Sequence, residues 1–156
     1  MDFDPANYKK IVEYINENPL ATLGTINDDG TPHGAVVYVC PDDDTDTKMV
    51  YFLTKIGTHK YENLLERKKV SLTIVNPKEN STVQASGDAA PINDSHVIDM
   101  VMKKITRAHA NAVEWLPPIA KLRAGAYTIV GVTVRQARLA RFKNKAIGDP
   151  RIFTEA

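Results

Sequence analysis

Two alternating runs joined by a short polar turn constrain this chain more than any other feature. Val70-Ser-Leu-Thr-Ile-Val75 alternates with period two, and Asn76-Pro77 and Glu79-Asn80 mark a turn. Thr82 to Ala89 then resumes the alternation, with Val83, Ala85, Gly87 and Ala89 on one side. A period of two belongs to a half-buried strand, and a turn this short joins antiparallel neighbours. Gly87 inside such a run predicts a bulge or a close backbone approach.

The same grammar recurs along the chain. Leu20 to Ile26 reads as a strand, Asn27-Asp-Asp-Gly30 as a hairpin turn, and Pro32 to Cys40 as the returning strand. A polar loop, Pro41 to Lys48, leads into an apolar strand from Met49 to Thr54. Tyr127 to Leu139 is a long run rich in β-branched residues. Six strands in short hairpins with a few peripheral helices predict a mainly β fold, a small six-stranded antiparallel β-barrel, over a doubly wound sheet.

The helical segments are few. Asp4-Pro5 supplies an N-cap and an N1 proline, and Tyr8, Ile11, Val12 and Ile15 form one helical face before Asn18-Pro19 stops it. Asn93-Asp-Ser95 caps a longer helix with the stripe Val97, Ile98, Val101, Met102 and Ile105, which Trp115-Leu-Pro-Pro118 breaks. Neither an internal repeat nor a linker is visible, so residues 1–156 read as one domain.

Composition narrows the function. The 20 basic and 19 acidic residues leave a formal charge of +1, which argues against a nucleic-acid-binding footprint. The uncharged stretch Ala124 to Val134 is interrupted by Gly125 and Gly131 and is too short to span a membrane as a helix. Met-Asp-Phe-Asp-Pro lacks the basic and apolar regions of a signal peptide, so a cytoplasmic location is expected. Cys40 lies among valines and reads as a core residue rather than a nucleophile or ligand.

The segment carrying most chemistry runs from Tyr51 to Leu65. A strand ends at Thr54, Gly57 supplies a turn, and Thr58 is the candidate N-cap of a helix with the stripe Tyr61, Leu64 and Leu65. Helix N-termini carry partial positive charge and usually attract acidic residues, yet this one opens with His59 and Lys60. Basic side chains, backbone N–H groups and two threonine hydroxyls converge there, which suits an anion such as phosphate. A solvated lysine and histidine on an ordinary surface helix is the competing interpretation.

Other constellations carry less. Asp42, Asp44 and Asp46 occupy the first, third and fifth positions of a calcium-loop pattern, but Thr47 and Leu53 stand where it needs Gly and Glu. His33, His59, His96 and His109 share no metal-ligand spacing. No catalytic triad element or dinucleotide fingerprint is present, and Gly57-Thr-His-Lys60 lacks the spacing of a nucleotide-triphosphate loop. Arg135, Arg138, Arg141, Lys143 and Lys145 form a basic C-terminal stretch, read as a solvated strand end or a contact for an anionic ligand.

Taken in order, several pieces resemble the FMN-binding split-barrel family typified by pyridoxamine 5'-phosphate oxidase. They are Leu20-Ala-Thr-Leu-Gly-Thr25, Asp29-Gly-Thr-Pro-His33, Val36-Val-Tyr38, Val50-Tyr-Phe-Leu-Thr54, Gly57-Thr-His-Lys60, Asn63-Leu64, Val70-Ser-Leu72 and the Val83 to Ala89 strand. The resemblance is good from Leu20 to Ile92 and weak beyond. It implies an FMN-binding oxidoreductase of small molecules whose phosphate site comprises Thr54, Thr58, His59 and Lys60. It also implies that Ala35, Val36, Val37 and Tyr38 lie beside the flavin ring, with Leu53, Thr82 and Gln84 lining it. Two protomers of this family usually share each flavin site, which implies a homodimer.

Departures from the pattern are informative. Ala35 stands where the vitamin B6 oxidases carry an arginine on the second strand, His59 replaces the junction arginine, and their Arg-Leu-x-Pro ending is absent. These losses argue against B6 oxidation itself. Alternatives at this point are a non-catalytic flavin- or haem-binding module, a deazaflavin-dependent reductase, and an oligonucleotide-binding barrel. No catalytic acid or base is singled out by the sequence. Independently of the resemblance, Ala35 to Val39 is apolar at consecutive positions, which predicts burial on both faces, one of them in a dimer.

Overall fold

A computed structural model of the protein describes residues 5–109, 126–142 and 153–155. Its elements in chain order are α1 (Pro5–Glu17), β1 (Leu20–Ile26), β2 (Pro32–Pro41), a 3-10 turn (Thr45–Thr47), β3 (Met49–Lys55), α2 (His59–Glu66) and β4 (Lys69–Asn76). They continue with β5 (Ser81–Pro91), α3 (Ser95–His109), β6 (Tyr127–Phe142) and β7 (Phe153–Glu155). The sheet order is β3-β2-β1-β4-β5-β6-β7, and a further pairing of β3 with β6 closes β1 to β6 into an antiparallel barrel. The six-stranded barrel expected from the hairpin grammar is therefore present, with β7 added at the edge of β6.

Closure depends on the length of β6. Tyr127 to Thr133 pairs with β3, whereas Val130 to Arg141 pairs with β5, so the overlapping middle of the strand bridges both. The register slips between Ser86 and Gly87, leaving Arg135 as the extra residue on β6. That is the bulge the glycine predicted. Arg135 uses it to reach Asp88, Nε to Oδ2 at 3.2 Å.

Alternation puts one face of each strand inside. Leu23, Phe52, Leu72, Ile74, Val83, Val130 and Val132 are buried in one continuous core. Each such side chain contributes roughly 1.5–3 kcal/mol through removal from water. Helix α1 lays Tyr8, Ile11, Val12 and Ile15 on the same core, as its periodicity predicts, and Ser81 Oγ donates to Tyr14 Oη at 3.1 Å. Its Pro5 start agrees with the expected N1 proline, whereas the proposed cap Asp4 lies outside the described residues.

A second cluster sits on the outside of β3 and β6. Val101 and Ile105 of α3 pack there on Tyr51 and Ile129, joined by Val97, Ile98 and Met102, so the whole predicted stripe is used. The cap of α3 is Asp94, whose Oδ1 accepts the His96 N–H at 2.9 Å. The predicted helix break at Trp115 to Pro118 and the basic residues Lys143 and Lys145 lie outside the described residues.

Two expectations need correction. Leu65 was assigned to the buried stripe of α2 but is exposed, because the eight-residue helix turns Asn63 and Leu64 inward instead. Within one chain Ala35 to Val39 is covered on one face, with Val36 67% exposed while Val37 and Val39 are buried. The last strand continues beyond Leu139 to Phe142, carried by its pairing with β5 and β7.

Glycine 87 gives a direct test of the bulge. A Cβ at this position would fall inside the Thr133 carbonyl, a backbone obstacle, whereas one at Gly131 would meet only the flexible ends of Met49 and Ile92. Gly87→Ala is expected to cost about 2–3 kcal/mol by forced backbone displacement, and Gly131→Ala less. Urea denaturation of the two variants checks the order.

Candidate functional site

The junction between β3 and α2 is built by a left-handed glycine. Gly57 has φ +81°, a conformation that favours glycine, and it turns the chain from Lys55 into the helix. Thr58 takes the extended backbone of an N-cap residue, φ −81° and ψ 155°. Its hydroxyl does not cap the helix as the sequence suggested. It donates to the Lys55 carbonyl at 2.9 Å, completing the turn. The Glu62 N–H is held by the Thr58 carbonyl at 3.0 Å. The N–H groups of His59, Lys60 and Tyr61 precede that bond and have no carbonyl four residues back within the helix. An uncapped N-terminus of this kind presents donors to a ligand.

The charge of this first turn is mixed. Glu62 joins His59 and Lys60 there, so the turn is not wholly basic, though Glu62 is exposed. Lys60 is half-buried, and burial holds its ammonium below the usual lysine range. Among the described residues Lys60 makes no ion pair with a carboxylate.

Two side chains lock α2 against the β1–β2 hairpin. The buried Asn63 donates through Nδ2 to Thr25 Oγ1 at 3.1 Å and to Asn27 Oδ1 at 2.9 Å. Arg67 donates through Nε to the Ile26 carbonyl at 2.9 Å and pairs with Asp28 at 2.6 Å. The helix N-terminus thereby comes to face β2. His33 and His59 meet across that gap with ring centroids 6.0 Å apart, in a cleft also lined by Asn27, Asp28, Asp29 and Asn63.

The gap is a true split in the barrel. β2 pairs with β3 only over Val39–Pro41, so among the described residues no strand pairs with the stretch from Pro32 to Tyr38 on that side. At the matching end of β3, Thr54 is 2% exposed and its hydroxyl has no hydrogen-bond partner. An orphaned buried hydroxyl beside an open strand edge is a feature that a bound ligand would relieve.

The candidate residues read from the sequence fall into distinct places. Thr58, His59 and Lys60 gather at the junction. Thr54 shares the strand face of Val50 and Phe52, and Ala35 and Val37 share the inner face of β2 with His33. Val36, Thr22, Thr73, Gln84 and Arg138 form one cross-strand row on the outside of the barrel. Tyr38 lies one step along, opposite Leu20, and Thr82 lies opposite Val75. Leu53 packs against the α3 cluster. Within one chain the junction follows β3 and Gln84 lies on β5, with β6 between those strands in the closed barrel.

Residues with other attractions turn out to be committed. Asp42 accepts from the Tyr51 hydroxyl at 3.0 Å and Asp43 pairs with Lys104 at 2.6 Å, which holds two carboxylates of the acidic loop in structural contacts. Burial pushes the Cys40 thiol up to about 11, so it is a poor nucleophile at neutral pH. Asn63 and His33 were not singled out for the site. Asn63 escaped because a polar residue inside a helical stripe reads as a solvent face, and His33 because its partner lies on another element.

The sequence profile described as pyridoxamine 5'-phosphate oxidase matches residues 8–140. The chain belongs to that family. No curated protein sequence matches it. Among solved structures it is similar to a protein related to general stress protein 26, of the pyridoxinephosphate oxidase family, from Clostridium acetobutylicum. That match has a TM-score of 0.64 and 16% identity, covering 89% of this chain and 91% of the other. A NimC/NimA family protein from Clostridium acetobutylicum matches with a TM-score of 0.62 and 14% identity, covering 88% of each. An F420 reductase matches with a TM-score of 0.60 and 20% identity, covering 80% of this chain and 94% of the other. At these identities the likeness establishes the fold, which is the split barrel expected from the sequence.

The lock between α2 and the hairpin can be tested apart from any ligand. Asn63→Leu leaves the Thr25 hydroxyl, 1% exposed, without its partner. A loss of about 2 kcal/mol is expected in urea unfolding. Adding Thr25→Val should recover part of it, because removing both partners costs less than stranding one.

Proposed function

We propose that the protein is an FMN-binding oxidoreductase that acts on small molecules as a homodimer. The observation carrying this reading is the split between β2 and β3, flanked by an uncapped helix N-terminus, the half-buried Lys60 and the orphaned Thr54 hydroxyl. This donor set fits a phosphate ester. Lys60 and His59 supply charge, the first-turn N–H groups supply directed donors, and the Thr58 hydroxyl fixes the turn that exposes them. The unpaired edge of β2, from Ala35 to Tyr38, offers backbone donors and acceptors to a planar ring system. A bound flavin supplies hydride chemistry, while the chain's residues bind and orient it.

Sharing of the site between protomers accounts for its drawing on both faces of the barrel wall. Thr82 and Gln84 lie on the outer face with the exposed Val36, whereas Thr54 is buried on the opposite, inner face of β3. Leu20, Val36 and Val75 are exposed on that face, at 45%, 67% and 60%. A second copy covering this face would remove that apolar surface from water and bring its own residues toward the flavin. The alternative coenzyme is a deazaflavin, favoured by the likeness to an F420 reductase. Absorbance of the freshly purified protein separates the two coenzymes, and also separates either from haem.

Two outcomes are expected. The phosphate contacts should make FMN bind at least about tenfold more tightly than riboflavin, as one charge-assisted contact contributes about 1.5–3 kcal/mol. Lys60→Ala should remove most of that difference while stabilising the ligand-free protein by a few tenths of a kcal/mol, because a lysine in the first turn opposes the helix dipole. Flavin fluorescence titration and thermal unfolding read the two effects, and equal affinity for the two flavins refutes the phosphate assignment. Separately, FMN should hold the dimer together on dilution, as a ligand bound by both protomers favours the associated state. Sedimentation at falling concentration tests this, and a monomer with full FMN affinity refutes the shared site.

A further inference from the structure

The side of α2 that carries Lys60 is the side that the β1–β2 hairpin holds. Lys60, Asn63 and Leu64 are spaced i, i+3 and i+4 and so share one side of the helix, and Arg67 follows at its C-cap. Leu64 is 1% exposed and Tyr61 is partly buried, both against the barrel core. Apolar contacts are non-directional, and two of them leave a short helix free to rock. Asn63, itself 6% exposed, removes that freedom with directed bonds to Thr25 Oγ1 at 3.1 Å and Asn27 Oδ1 at 2.9 Å. Arg67 adds a third, from Nε to the Ile26 carbonyl at 2.9 Å.

The receiving end of this lock is itself fixed. The Asn27 N–H donates to the Thr31 carbonyl at 2.8 Å, and the Asn27 carbonyl accepts from the Gly30 N–H at 2.9 Å. Its Nδ2 donates to Thr31 Oγ1 at 3.1 Å, and the Thr31 N–H is held by Asp29 Oδ1 at 3.0 Å. Every polar group of Asn27 is therefore engaged, with Oδ1 given to α2. The other acceptor, Thr25, is buried on β1 and belongs to the barrel wall.

We propose that Asn63 and Arg67 are positioning residues for the phosphate ester of the coenzyme: by holding α2 to the hairpin they aim Lys60 and the first-turn N–H groups, and so set the preference for FMN over riboflavin. This role rests on the phosphate reading above and extends it to two side chains that need not touch the ligand. Directed hydrogen bonds keep their strength over only about 0.5 Å in length and weaken steeply off-angle, so a helix that rocks loses them. Riboflavin has no phosphate and nothing to lose there. Direct attraction by Arg67 does not account for the effect, because its guanidinium is already paired with Asp28 at 2.6 Å and with Glu66 at 3.1 Å. Position is what it contributes.

The experiment measures affinity for FMN and for riboflavin in the wild-type protein, Asn63→Leu, Arg67→Gln, and Asn63→Leu combined with Thr25→Val. Thermal unfolding sets a temperature at which each variant is folded. Asn63→Leu should weaken FMN binding by about tenfold or more, the effect of losing one charge-assisted contact, and Arg67→Gln by about threefold. Riboflavin affinity should not change. The combined variant should regain stability, since the stranded Thr25 hydroxyl is gone, but not FMN affinity, since the helix is still unheld. A purely structural role would return both, so recovery of FMN affinity with stability overturns the positioning role. Arg67 is partly exposed, and its variant decides the matter should Asn63→Leu not fold. If the wild-type protein prefers FMN and the folded variants keep that preference undiminished, the positioning role is overturned and the phosphate site stands. If the wild-type protein binds the two flavins alike, the phosphate reading fails and the positioning role fails with it.

Discussion

The structure depends on one strand reaching two neighbours. β6 pairs with β3 over Tyr127 to Thr133 and with β5 over Val130 to Arg141, and this double engagement turns a sheet into a barrel. A strand of 16 residues is long enough to do this, and the bulge at Arg135 bends it without ending its ladder. With the barrel closed on that side, the opposite seam need not be. β2 and β3 meet over three residue pairs and then diverge, so the fold tolerates an opening where a ligand can reach backbone groups.

What positions the chemistry at the opening is polar rather than hydrophobic. α2 is short and buries little apolar surface, since Leu65 is exposed and only Leu64 is fully covered. Its placement is set by Asn63 and Arg67, which reach the β1–β2 hairpin through directional bonds. Directional contacts fix an orientation that apolar packing alone would leave loose. The helix N-terminus with His59 therefore faces β2 and His33. A threonine whose hydroxyl closes the preceding turn, instead of capping the helix, leaves the first-turn donors available.

The fold was largely legible from local pattern. Period-two alternation located β4 and β5, the Asn76 to Asn80 turn located their connection, Gly30 located the β1–β2 hairpin, and Gly87 located the bulge. These signals are local because strand faces and turn dihedrals are set by residues within a few positions of one another. The strand-to-helix junction was legible for the same reason, as was the unusual pairing of basic residues with a helix start. Leu65 was misjudged because an apolar stripe on a helix this short does not say which edge of the stripe meets the barrel.

The sequence by itself determined the barrel class, the strand boundaries to within a few residues, and the placing of Thr58, His59 and Lys60 at one strand-to-helix junction. Tertiary structure alone decided where the barrel splits, that His33 lies beside His59, and that Gln84 shares an outer row with Val36. The physical reason is that register and closure are sums over contacts far apart in the chain. His33 and His59 are brought together by Asn63 and Arg67 acting on a hairpin dozens of residues away, and no local pattern encodes such a meeting.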